Sequence, residues 1–112
     1  MDRLEEVLLS HKDEYIEHLR KLVSIDTHVL GQGVDGGLEK EGQEYIASLL
    51  KSMGADEVKT DPMEEAVIQE SIQRYGEGNP GHDQTDRSNV YGVFRGSEGG
   101  KSLLFNGHVD VM

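Results

Sequence analysis

The chain has 112 residues, 35% of them hydrophobic and 5% aromatic with no Trp, so it is one domain at most and has little material for a core. Its 22 Asp and Glu against 11 Lys and Arg give a formal net charge of −11, which repels phosphate backbones and anionic lipid and excludes nucleic acid and membranes as expected partners. Cysteine is absent, which excludes disulfides, thiolate metal sites and a cysteine nucleophile.

The opening stretch, MDRLEEVLLSHKDE, is acidic where a secretory signal needs a basic flank followed by an apolar run, so the expected location is cytoplasmic. Leu4, Leu8, Tyr15, Leu19 and Leu22 recur at steps of three and four and predict one amphipathic helix over residues 2–23. His11 and His18 lie about two turns apart on it. Among Lys, Glu and Arg they read as surface residues rather than metal ligands. The clustered glycines of THVLGQGVDGGLEKEG predict a long, exposed, flexible loop, and they do not spell a phosphate-binding motif.

Helical spacing returns over residues 38–53, with Tyr45, Ile46, Leu49, Leu50 and Met53 on one face and Gly54 placed to end it. ADEVKT is a short candidate strand. Asp61 as N-cap, Pro62 at the first helical position and Glu64 as capping-box partner predict a helix running to about Tyr75. The polar stretch GEGNPGHDQTDRS carries His82, Asp83 and Asp86, which read as solvated turns rather than a metal cluster. NVYGVFRG and KSLLFNG, joined by SEGG, predict an antiparallel hairpin whose second strand delivers His108 and Asp110 at its C-terminal end. The pattern is α/β, and functional residues in such folds gather beyond the carboxyl ends of strands.

His108 and Asp110 are separated by one residue in an extended segment, so their side chains start on the same side of the backbone. Imidazole is a common zinc ligand, and a metal-bound histidine generally gives its other ring N–H to a carboxylate that fixes its tautomer. His-x-Asp alone is a frequent string. The apolar strand before it and the close approach allowed by Gly107 sharpen the reading. A catalytic zinc needs three protein ligands, and one histidine does not supply them.

The segment GGKSLLFNGHVDVM resembles the first metal motif of the acetylornithine deacetylase and succinyl-diaminopimelate desuccinylase family of zinc metallohydrolases, which includes aminoacylases and carboxypeptidase- or dipeptidase-like members. LRKLVSIDT is similar to the family's first helix and following loop, EGQEYIASLLKSMGADEV to its second helix and a strand, and DRSNVYGVFRG to the strand before the motif. The least typical stretches are GQGVDGG and residues 61–81.

This resemblance implies a three-layer α/β/α catalytic domain with a mixed sheet, of which residues 1–112 would be the N-terminal portion, ending in the hairpin. It implies two zinc ions, with His108 ligating one of them and Asp110 acting as the catalytic carboxylate that orients His108 and raises its basicity. One histidine does not separate zinc from cobalt or manganese. The bridging aspartate, the glutamate pair and the late histidine of the family would all follow residue 112, as would a lid or dimerisation domain, so a homodimer is compatible with the resemblance. The implied substrate is an N-acyl amino acid or short peptide, hydrolysed at its amide bond by the longer parent enzyme, with residues 1–112 inactive alone. The alternative expectation is a small acidic, non-catalytic binding or self-associating module in which His108 and Asp110 are incidental.

Overall fold

A computed structural model describes residues 1–78, 80–97 and 99–112. In chain order the elements are α1 (Arg3–Ser10), α2 (Lys12–Ser24), α3 (Lys40–Ser52), β1 (Glu57–Pro62), α4 (Glu65–Tyr75) and β2 (Ser88–Val93). The class is mixed α and β, with a two-stranded antiparallel sheet.

The predicted helix over residues 2–23 is two helices that meet at His11, whose φ of −105° and ψ of 9° leave the helical region. The Ser10 hydroxyl donates to the Val7 carbonyl at 2.8 Å, sharing that acceptor with the His11 N–H at 3.2 Å. Ser24 and Ser52 close α2 and α3 in the same way, donating to Lys21 O and Leu49 O at 2.7 Å each. Asp2 caps α1, accepting from the Glu5 N–H at 2.9 Å.

β1 extends further than ADEVKT implied. Its six residues pair with β2 from Glu57↔Val93 to Pro62↔Ser88, so Asp61 and Pro62 are strand residues and do not open a helix. A proline is tolerated there because β1 is an edge strand and Pro62 is its last residue. α4 therefore starts later, after Glu64, and ends as expected at Tyr75, where Gly76 adopts the left-handed conformation.

The predicted hairpin is not formed. β2 pairs with β1 instead, and the described residues from 99 to 110 contain no strand; Glu98, in the SEGG connection, lies outside the described residues, as does Asn79 in the preceding polar stretch. The non-local pair prevails because α3 packs across both β1 and β2 and covers them together. Gly92 of β2 makes this contact close: a Cβ there would lie 3.1 Å from both terminal methyls of Leu50. Leu103, Leu104 and Phe105 have no such cover and are 79–87% exposed.

Ile25 is the buried apolar residue of the described chain. The radius of gyration is 16.9 Å, with principal extents of 49 × 38 × 22 Å, against roughly 13 Å for a compact chain of this length. Among the described residues no helix is long and apolar enough to cross a membrane.

Candidate functional site

The segment bearing His108 and Asp110 is held from the other end of the chain. Residues 109–111 run beside residues 27–29 in a parallel arrangement, with His28 bridged to Val111. The Thr27 hydroxyl donates to Val109 O at 2.6 Å, Val111 N–H to Thr27 O at 3.2 Å, and Val29 N–H to Val111 O at 2.9 Å. Thr27 is 5% exposed and packs on α3 at Gly42, where a Cβ would lie 2.8 Å from the Thr27 methyl and 4.0 Å from a Val109 methyl. Gly42 thus lets the two extended segments sit directly on the helix.

His108 and Asp110 meet each other. The His108 Nδ1 lies 3.2 Å from Asp110 Oδ1 and 3.1 Å from Asp110 O. Both partners are acceptors, so in the neutral ring this contact favours the tautomer with the hydrogen on Nδ1 and the lone pair on Nε2. The imidazole is 82% exposed, while Asp110 is half-buried at 40%. This brings together the two residues singled out from the sequence. Among the described residues, however, no group of three His, Asp or Glu is placed to hold a metal.

A second His–Asp pair lies on the neighbouring segment. Asp26 Oδ1 accepts from the His28 ring at 2.5 Å and from the His28 backbone N–H at 3.2 Å. The ring hydrogen bond, then the backbone one, hold the Asp26 carboxyl below its ordinary 3.8. Strand alternation sets His28 on the side of Val111 and opposite Asp110, so the two pairs do not merge into one site.

The glycine loop differs from its expectation. Gly33 and Gly36 are buried, and the loop is closed by bonds from Leu30 N–H to Gly36 O, Asp35 N–H to Leu30 O and Leu38 N–H to His28 O. A buried ion pair secures it. Arg87 Nε and Nη2 lie 2.9 and 2.8 Å from Glu39 Oε1, with the side chains 12% and 5% exposed, and Arg87 Nη1 donates to Gly33 O at 3.2 Å. Sequence reading missed this pair. Its members are 48 positions apart, and neither sits in a pattern that distinguishes it from the many surface charges.

The histidines and acids set aside as surface residues have local partners. His11 engages Glu14 at 2.9 Å, which lowers the Glu14 carboxyl. His18 contacts Tyr45 at 2.7 Å, tying α2 to α3. Asp83 accepts from the Thr85 N–H at 2.9 Å, chiefly through which its carboxyl is lowered, and Asp86 pairs with Lys40 at 3.1 Å. Comparison of the chain with protein-family models, curated proteins and solved structures finds no match.

Proposed function

We propose that residues 1–112 belong to a metal-dependent amidohydrolase acting on an N-acyl amino acid or short peptide, with His108 as a metal ligand and Asp110 as its orienting carboxylate. The observation that carries this reading is the His108–Asp110 contact: Nδ1 lies 3.2 Å from the Asp110 carboxylate on an exposed ring, which in the neutral tautomer it favours leaves Nε2 as the metal-binding nitrogen. That is the chemistry a zinc ligand needs, and the resemblance of GGKSLLFNGHVDVM to a metallohydrolase motif points the same way.

Bound zinc, or cobalt or manganese in its place, would supply Lewis acidity to the amide carbonyl and acidify a water. The chain's own residues do the holding. Asp110 fixes the tautomer and heading of His108, and Thr27, through Val109, fixes the backbone between them. One ligand does not make a catalytic site, so on this reading the remaining donors and the general base come from residues other than these 112.

In the protein carrying the complete donor set, His108→Ala is expected to abolish hydrolysis of N-acyl amino acids, and Asp110→Asn to lower it about 10- to 100-fold. Near-normal turnover by His108→Ala would refute the assignment. The 112-residue chain is expected to show no hydrolysis and weak zinc affinity. Zinc titration followed by the His108 ring resonances tests that without any turnover: a shift confined to other histidines would also count against it.

A further inference from the structure

We propose that residues 102–106 add as an antiparallel strand to the open edge of β2 in a second copy of this chain, the two copies exchanging strands reciprocally. The inference stands apart from the hydrolase reading, because it concerns a surface that His108 and Asp110 do not form.

The segment is a strand without a sheet. Leu103, Leu104 and Phe105 are 79%, 87% and 86% exposed, and among the described residues 99–107 make no backbone–backbone hydrogen bond. β2 is a sheet without its next strand: it pairs with β1 on one side, and among the described residues no strand lies on the other. An open edge beside an exposed apolar segment is a template for pairing between chains.

Area says how much cover is missing. The chain exposes 9068 Å², whereas a compact protein of 12.4 kDa exposes roughly 6,100 Å². An obligate dimer interface removes about 1,000–2,500 Å² from each partner, which falls within that excess.

Charge says where two copies approach. Residues 88–105 hold two cations, Arg95 and Lys101, against one acid, Glu98, whereas the rest of the chain holds 21 acids against nine cations. Contact through other faces sets net-negative surfaces against each other; contact through this stretch does not. Within one chain the segment stays off β2 while its C-terminal end is tied to residues 27–29. A second copy presents the same edge free of that tether.

The test is sedimentation and amide hydrogen exchange of the 112-residue chain between about 1 and about 200 µM, since association is read by mass action. The mass is expected to rise from 12.4 kDa to about twice that, with protection at residues 102–106 and in β2 appearing in step. Isotope-filtered contacts between Leu104 of a labelled copy and β2 of an unlabelled one are expected in the dimer. Leu104→Asp, with unchanged helix content by circular dichroism, is expected to hold the monomer. A monomer throughout overturns the proposal: free exchange at 102–106 means the segment stays unpaired, and concentration-independent protection means the chain's own β2 is the occupant. A dimer in which 102–106 exchange freely and the filtered contacts are missing overturns it too, whatever the variant does.

Discussion

Removing the guanidinium of Arg87 leaves Glu39 charged in a site where its side chain is 5% exposed, and breaking a buried pair from one side costs about 3–5 kcal/mol. Small domains have about 5–15 kcal/mol in total, and a chain whose described residues include one buried apolar side chain belongs at the low end. Arg87→Ala is therefore expected to be largely unfolded in urea titrations, while Glu39→Leu with Arg87→Met recovers most of the loss. Recovery failing in the double variant would show that the charges themselves are needed. At the same scale, Asp26 titrates below its ordinary 3.8 because the His28 ring donates to it. A depressed folded value means the contribution is present above 3.8 and is lost as pH falls through the lowered value. The NMR midpoint of Asp26 is expected to rise towards 3.8 in His28→Ala. His108 and Asp110 were legible from their spacing, which determines that they share a side; Arg87 and Glu39 were not, because burial selects them and burial is a tertiary property.

At the scale of elements, Gly42 decides whether the candidate site keeps its seat on α3. Alanine at an exposed helical position would gain about 1 kcal/mol over glycine, yet here the new Cβ meets the Thr27 methyl at 2.8 Å, and overpacking costs about 1–3 kcal/mol. Gly42→Ala is expected to be net destabilising by about 1 kcal/mol and to lengthen the Thr27–Val109 bond. Thermal unfolding reads the first effect, and the hydroxyl exchange of Thr27 reads the second. Helix existence was legible in α2 and α3 from apolar spacing and in α4 from capping signals that misplaced its start, and Gly54 and Gly76 follow their helices in the left-handed conformation. The split was missed because the 3.6-residue apolar pattern continues across His11, whose backbone leaves the helical region. The Asp61-Pro62 signal for a helix start lost to six residues of strand pairing.

For the whole molecule, like charge opposes the association that exposed apolar surface favours. Salt screens the former and leaves the latter largely intact, the Debye length falling from about 10 Å at 0.1 M to about 3 Å at 1 M. The dimer dissociation constant is expected to decrease between these conditions, measured by sedimentation. An increase would place ion pairs, rather than Leu103, Leu104 and Phe105, at the interface. The small radius expected of a compact chain is absent because helices α1 and α2 bury no residue, α2 meeting α3 through His18 and Tyr45.

By itself the sequence determined what depends on neighbours along the chain: the helices of the α/β pattern, the polar turns, the acidity, and the shared heading of His108 and Asp110. Tertiary structure alone decided what depends on residues meeting from afar. It chose β1 over residues 101–107 as the partner of β2, because α3 covers β1 and β2 together and nothing covers Leu103, Leu104 and Phe105. It also closed the glycine loop on Arg87 and laid residues 109–111 along residues 27–29, since backbone groups and buried charges take whichever partners the packing brings within reach.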